Sequence, residues 1–191
     1  MPRTAQIGLP MTIEQGWLSS VAQLISPNTD KRPSTEDVSL LVIHNISLPP
    51  EQFGGSYISQ FFANCLDISA HPYFAEIGHL RVSSHLLIDR DGEIIQFVPF
   101  YDRAWHAGVS EFEGRSNCND FSIGIELEGS DYIPYTDAQY QALVQVTKTI
   151  RLYYPLITGD RIVGHCDIAP ERKTDPGPAF DWVRYQQELN G

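Results

Sequence analysis

The sequence predicts an α/β fold: a single domain, residues 1–191, with a central mixed β-sheet flanked by helices. A length of 191 residues with 42% hydrophobic residues suits one domain with a sizeable core. Strand patterns alternate with helical patterns along the chain. Strong turn residues at 89–92, Asp-Arg-Asp-Gly, also join two strands at 83–89 and 93–98 as a hairpin. Strands interleaved with helices, with a hairpin between them, favour one mixed sheet.

The first half of the chain begins with a polar, proline-containing loop at 26–37, which leads into an apolar strand at 38–46. A helix opens after Gly-Gly-Ser at 54–56, with Ser56 as its N-cap. Its apolar residues recur at helical spacing: Ile58, Phe61, Phe62 and Cys65. We predict a long loop at 66–80, and loops of this length in compact domains are often functional.

The second half contains a strand at 121–128 and a long helix at 137–153. In the strand, one face carries Phe121, Ile123, Ile125 and Leu127 and the other carries Ser122, Gly124, Glu126 and Glu128. A capping box at 136–139 opens the helix. Its predicted buried face comprises Tyr140, Leu143, Val144, Thr147 and Ile150. A short strand at 161–164 and a helix at 181–189, with Trp182, Tyr185 and Leu189 inward, complete the prediction.

Charge and cysteine content restrict the partners and the compartment. A formal net charge of −11 argues against nucleic acid and anionic membranes as partners, because both need a basic face. The three cysteines are widely spaced and odd in number, which implies no disulfide framework. The start of the chain, 1–8, lacks the apolar segment of a signal peptide, and no apolar run approaches the roughly 20 residues of a membrane helix. We therefore expect a cytoplasmic protein.

Two histidines and an aspartate form a candidate metal site. His44 ends the apolar run 39–44, His165 ends another hydrophobic stretch, and Asp175 follows in a loop before Pro176. Two imidazoles and one carboxylate suit zinc, and three protein ligands leave a fourth position open, as a catalytic site needs. The spacing alone is weak support. Buried core histidines and a turn carboxylate are the ordinary roles of such residues.

Glu126 and Lys173 are candidate catalytic residues beside this trio. Glu126 lies deep in its strand, where a carboxylate is costly without a partner or a function, whereas Glu128 borders a glycine and has solvation as its simple explanation. Lys173 lies two residues before Asp175, so an extended chain points both side chains the same way. The alternative for Lys173 is an exposed loop lysine. We expect Cys166, next to His165, to pack in the core.

The sequence motifs around these residues resemble those of the AmpD-type N-acetylmuramoyl-L-alanine amidases. These enzymes belong to the type 2 amidase family, which is related to peptidoglycan-recognition proteins. The matching runs are Leu-Val-Ile-His-Asn at 41–45 and on to 50, Ala-Trp-His-Ala-Gly at 104–108, Asn-Asp-Phe-Ser-Ile-Gly-Ile-Glu at 119–126 and on to 129, and Gly-His at 164–165 through 178. The resemblance runs from about 16 to 182. It implies an amidase-like fold that cleaves the lactyl–L-alanine amide of anhydromuropeptides during peptidoglycan recycling.

The resemblance also implies roles for individual residues. A Zn²⁺ cofactor would be bound by His44, His165 and Asp175, with Glu126 as the general base and Lys173 as the oxyanion donor. The substrate is anionic, so basic residues must dominate locally in an acidic protein; the candidates are Arg81, Arg115, Arg172 and Lys173. We predict substrate contacts from Asn45, Tyr73, Arg81, Trp105 and His106, with a structural role for His106 as an equal alternative. We expect a monomer.

Two other readings remain open at this point. A non-catalytic peptidoglycan-recognition module shares part of the pattern, but such proteins usually lack a metal ligand, and here all three are present. A structural zinc site would require a fourth protein ligand, and the sequence offers no compelling one.

Overall fold

The structure, a computed structural model, describes residues 11–191. The stretch 1–8, from which we predicted the lack of a signal peptide, lies outside the described residues. The strands are β1 (Ile13–Glu14), β2 (Trp17–Leu18), β3 (Ala22–Gln23), β4 (Thr29–Lys31), β5 (Leu40–Ile46), β6 (Leu86–Ile88), β7 (Ile94–Gln96), β8 (Asp102–Ala104), β9 (Glu111–Phe112), β10 (Arg115–Ser116), β11 (Ser122–Glu128) and β12 (Ile162–Gly164). The α-helices are α1 (Tyr57–Phe62), α2 (Pro72–Ile77), α3 (Asp137–Tyr153), α4 (His165–Ile168) and α5 (Trp182–Asn190).

Six of these strands form the central sheet, in the order β12-β5-β11-β6-β7-β3. The strands β12, β5, β11 and β6 run parallel to one another, β6 and β7 form the antiparallel hairpin, and β3 pairs in parallel with β7 at the edge. The predicted mixed sheet flanked by helices is therefore confirmed. Because β12, β5 and β11 are parallel, their carboxyl ends meet at one edge of the sheet.

The two faces of the sheet carry different partners. One face packs in a cluster with α3 and α5 that includes Leu41, Ile43, Ile123, Ile125, Leu143, Val146 and Tyr185. The opposite face of β5 continues from Leu40 and Val42, which pack with Phe121 and Cys118, to His44. The sheet therefore buries apolar side chains on both faces, and on the second face β5 changes from apolar residues to His44. Among residues 11–191, no helix is long and apolar enough to span a bilayer.

Several local predictions need correction. The predicted loop 66–80 contains α2, because the His71 side chain caps it by accepting from Tyr73 N at 3.2 Å and a proline occupies its first turn. Ser56 holds the N-cap position of α1 without a side-chain capping bond. Phe121 precedes β11 and packs with Leu40 and Val42, away from Ile123 and Ile125. Cys166 is half-buried, because residues 165–168 are helical rather than extended.

Candidate active site

The three candidate metal ligands converge at the carboxyl ends of the parallel strands. His44 lies near the end of β5, and His165 begins α4 directly after β12, whose Gly164 pairs with Ile43. His44 Nδ1 lies 3.0 Å from His165 Nδ1, and each lies 3.1 Å from Asp175 Oδ2. Ligands 2.0–2.1 Å from a tetrahedral zinc are separated by about 3.3 Å, so the three atoms have the separation that such an ion requires.

The contacts of this cluster suit a cation between its atoms. His165 Nε2 lies 3.0 Å from the carbonyl of Ala107. A carbonyl only accepts, so His165 carries its proton on Nε2 and turns the lone pair of Nδ1 towards the carboxylate oxygen of Asp175. Two acceptors facing each other at 3.1 Å repel. A metal ion between them removes the repulsion, and the donor set of two imidazoles and a carboxylate fits zinc.

Burial controls the ionisation of the cluster. His44 is only 1% exposed, and burial lowers its pKa to about 4, against the opposing effect of Asp175. Burial acts to raise the pKa of Asp175, but the two imidazoles beside it outweigh this and hold that pKa well below its usual range. A neutral imidazole and an ionised carboxylate are the protonation states in which these side chains bind a metal.

The loop that carries Asp175 is anchored through its backbone. The carbonyl of Asp175 accepts from Cys166 N at 3.0 Å. The next carbonyl, that of Pro176, accepts from Asn45 Nδ2 at 3.1 Å and from the Tyr135 hydroxyl at 2.8 Å. These bonds hold the carboxylate beside the two histidines without using its own oxygens.

Glu126 lies on the same face of the sheet as His44, because the two residues are register partners in the parallel pair β11–β5. Its Oε2 is buried and has no hydrogen-bond partner among the described residues. Burial raises its pKa well above the usual value; the charge of Asp175 adds to this effect and that of Lys173 opposes it. An unpartnered buried carboxylate is costly to stability, and such groups concentrate at functional sites.

Glu128 differs from Glu126, although the two share a strand face. It is 4% exposed, which contradicts the solvated position that we considered for it. Its Oε1 accepts from Gly54 N at 2.6 Å and its Oε2 from Arg90 N at 3.3 Å. Glu128 therefore ties the loop after β5 and the β6–β7 turn to the sheet.

A cavity of about 360 Å³ opens over these groups. Its polar lining includes His44, His165, Asp175, Glu126 and Lys173. Its apolar and aromatic lining includes Phe61, Phe62, Tyr73, Ile77, Leu80, Val82 and Trp105. Lys173 also lines a neighbouring open groove that it shares with Arg172, Asp131 and Tyr132. A cavity with both polar and apolar lining suits an amphipathic ligand.

The predicted contact residues separate into two groups. Asn45, Tyr73, Trp105 and His106 line the cavity. Arg81 does not line it: the side chain is exposed, and its guanidinium donates to the carbonyls of Gly78 at 3.3 Å and Leu80 at 3.1 Å. Of the other basic candidates, Arg115 pairs with Asp37, and Arg172 donates to the Ala107 and Val109 carbonyls. Lys173 is the basic side chain that lines the cavity.

Sequence reasoning missed the residues behind the ligands. These are the Ala107 carbonyl, Ser122, Asn119 and Gly124. Asn119 Oδ1 accepts from the backbone of His106 at 3.1 Å and of Ala107 at 2.8 Å. One available signal was Gly124, since a glycine inside an otherwise apolar strand often marks a close approach by another group.

Comparison with known proteins identifies the family. The profile of the N-acetylmuramoyl-L-alanine amidase family matches residues 34–178. The chain is 63% identical to the 1,6-anhydro-N-acetylmuramyl-L-alanine amidase AmpD of Haemophilus influenzae, with 91% of this chain and 94% of that one covered. It is 61% identical to the AmpD of Escherichia coli, with 92% and 96% covered.

Solved structures agree with these matches. A crystal structure of a selenomethionine AmpD derivative superposes with a TM-score of 0.91 at 59% identity, covering 94% of this chain and 99% of that one. A complex of the amidase AmiD from E. coli with anhydro-N-acetylmuramic acid-L-Ala-D-γ-Glu-L-Lys gives a TM-score of 0.58 at 30% identity, covering 94% and 65%. These relatives are amidases, which favours the enzyme over a non-catalytic recognition module. The chain belongs to the N-acetylmuramoyl-L-alanine amidase family, as an amidase of the AmpD type.

Proposed function

We propose that the protein is a zinc-dependent amidase that hydrolyses the bond between the lactyl group of 1,6-anhydro-N-acetylmuramic acid and L-alanine in muropeptides, during peptidoglycan recycling. The observation that carries the proposal is the convergence of two Nδ1 atoms and one carboxylate oxygen within 3.0–3.1 Å, beside the unpartnered carboxylate of Glu126. The names of the AmpD relatives support the substrate. The AmiD complex shows a related amidase with an anhydromuropeptide bound.

In this proposal His44, His165 and Asp175 hold the zinc. Bound zinc supplies a Lewis acid that polarises the scissile carbonyl and makes a water molecule more acidic. Glu126 is the general base. Its raised pKa places it closer to neutrality than an ordinary carboxylate, so it can take a proton from the attacking water and pass it to the leaving L-alanine amine. Its buried, unpartnered oxygen leaves that proton-accepting position free.

Lys173 is the proposed partner for the negative charge that develops on the carbonyl oxygen. It is half-buried, lines the same cavity as Glu126, and its positive charge acts on the pKa of both Glu126 and His44. A preorganised cation in a partly dry cavity stabilises an oxyanion more strongly than it would in water. We propose that Tyr73 and Trp105, which line the same cavity, pack against the sugar.

Recycling implies soluble turnover fragments as substrates, and we propose a cytoplasmic, monomeric enzyme. The three cysteines form no disulfide in the described part of the chain, which agrees with a reducing compartment. Cell fractionation tests the location. Recovery of the native protein in the periplasm would contradict it.

The proposed reaction is tested by incubating the zinc-loaded protein with a defined anhydromuropeptide and analysing the products by mass spectrometry. We expect free peptide and anhydro-N-acetylmuramic acid, with activity lost after chelation and restored by zinc. The matched control is Glu126→Gln, which keeps size and polarity but removes the base. Folded, zinc-loaded protein that leaves the substrate intact would refute the proposal.

A further inference from the structure

We propose that His106 is a positioning residue for the metal site: it accepts a hydrogen bond from His44 and thereby fixes the tautomer in which His44 presents Nδ1 to the metal. This inference rests on the proposed zinc site. It gives His106 a role behind a ligand, where the sequence had offered substrate contact and a structural role as alternatives.

The hydrogen-bond chain behind His44 has three members. His44 Nε2 lies 2.9 Å from His106 Nδ1, and His106 Nε2 lies 3.1 Å from Ser122 Oγ. With the metal on Nδ1, the His44 ring carries its proton on Nε2 and donates it to His106 Nδ1. His106 then carries its own proton on Nε2 and donates it to the serine. The ring nitrogen that binds a metal is set by the hydrogen bond of the other nitrogen.

The second histidine ligand is supported by the adjacent residue of the same segment. His165 Nε2 donates to the carbonyl of Ala107 at 3.0 Å. Two consecutive residues therefore contact the Nε2 atoms of the two ligands. The His106 side chain contacts His44, and the Ala107 carbonyl contacts His165. Both imidazoles consequently turn Nδ1 to the metal cluster, although His44 lies in β5 and His165 begins α4.

The chain makes room for this segment and holds it in place. A Cβ at Gly124 would lie 2.5–2.7 Å from the His106 ring, so the glycine in β11 creates the space in which the ring lies. Asn119 Oδ1 accepts from both backbone N–H groups, at 3.1 Å for His106 and 2.8 Å for Ala107. A ring packed onto a bare strand backbone and clamped at its own backbone has little freedom to rotate away from His44.

Two substitutions separate hydrogen bonding from packing. His106→Asn places an amide oxygen near the position of Nδ1 and retains the acceptor. His106→Leu fills similar volume but has no acceptor. The control is His79→Leu, the same chemical change at an exposed histidine outside the cavity. Loss of an outer hydrogen bond to a metal ligand typically weakens metal affinity by roughly 10- to 100-fold.

Zinc affinity is measured by competition with a chromophoric chelator. We expect His106→Leu to bind zinc about 10- to 100-fold more weakly than wild type, while His106→Asn and His79→Leu stay close to wild type. Wild-type affinity in the leucine variant would overturn the proposal. Equal weakening in the asparagine and leucine variants would also overturn it, because packing rather than the acceptor would then be responsible.

Long-range ¹H–¹⁵N NMR of the zinc-loaded wild-type protein provides a second readout that needs no variant. We expect His106 in the Nε2–H tautomer, with its Nδ1 accepting from His44. A proton on Nδ1 of His106 would refute the proposal even if the leucine variant failed to fold. The proposed function fails separately, through wild-type protein that binds no zinc or cleaves no anhydromuropeptide, so the two failures are distinguishable.

Discussion

Two glutamates on one strand face provide the most discriminating prediction. Glu126 and Glu128 are two residues apart on β11, and each is changed to glutamine, which keeps the shape and removes the charge. Glu126 Oε2 has no hydrogen-bond partner among residues 11–191, so the neutral amide sacrifices no bond there and avoids the cost that burial imposes on a charged carboxylate. We therefore expect the free energy of unfolding of Glu126→Gln to be equal to that of wild type or higher.

The activity of Glu126→Gln should fall, in contrast to its stability. Loss of a general base typically lowers kcat by roughly 10²- to 10⁴-fold, or about 2.7–5.4 kcal/mol of activation free energy. KM should change less than kcat, because the base acts in the transition state. In Glu128→Gln the amide group replaces a carboxylate that accepts from Gly54 N at 2.6 Å and Arg90 N at 3.3 Å. Because charge-assisted hydrogen bonds are lost, the free energy of unfolding of Glu128→Gln should fall by about 1–3 kcal/mol, with kcat largely retained.

The assays are kcat from product formation on a defined anhydromuropeptide, zinc content of the purified protein, and urea-induced unfolding. Both variants should contain zinc, because neither glutamate belongs to the ligand cluster. An active Glu126→Gln beside an inactive, stably folded Glu128→Gln would show that the base has been assigned to the wrong glutamate.

Three further predictions concern the residues around this strand. Lys173→Ala should keep zinc and lose about 10²- to 10³-fold in kcat, as for the loss of an oxyanion donor; an unchanged kcat would make Lys173 an ordinary loop lysine. Asp175→Ala should abolish stoichiometric zinc binding and activity, and full zinc content with full activity would contradict the ligand assignment. His85 is buried, and burial together with the charge of the neighbouring Arg32 lowers its pKa well below 6.5. The unfolded chain therefore takes up a proton that the folded chain resists. Stability should therefore fall as pH drops below about 6.5, by up to about 1.4 kcal/mol per pH unit, and His85→Asn should flatten this slope in urea titrations.

The sequence predicted the long elements well because each has a strong local signal. The apolar run of β5, the alternation in β11 and the capping box of α3 are all present in the structure. The box is complete, with Thr136 Oγ1 accepting from Gln139 N and Gln139 Oε1 accepting from Thr136 N, both at 3.1 Å. Two- and three-residue strands such as β1 and β9 contain too few residues to show a period, so tertiary pairing alone defines them.

The candidate site was predicted only as far as side-chain identity reveals it. Residue type and the motifs shared with the family led to the proposal of His44, His165, Asp175 and Glu126, and the structure brings them to one cavity. The carbonyl of Ala107 has no sequence signature, because every residue carries one. The helical start at His165 was also missed. A four-residue helix has almost no local signal, and it invalidated the extended geometry that we assumed for the neighbouring cysteine.

Three features that depart from ordinary stability rules lie on one face of β5 and β11. Gly124 weakens a strand interior, Glu126 buries an unpartnered oxygen, and the cluster at His44 sets lone pairs against each other. The opposite face of the same two strands carries Leu41, Ile43, Ile123 and Ile125, packed against helices. The same backbone therefore supports a stabilising core on one side and a set of costly groups on the other. Because their costs arise from the geometry that metal binding and proton transfer require, substitutions that relieve them should raise stability and lower activity together.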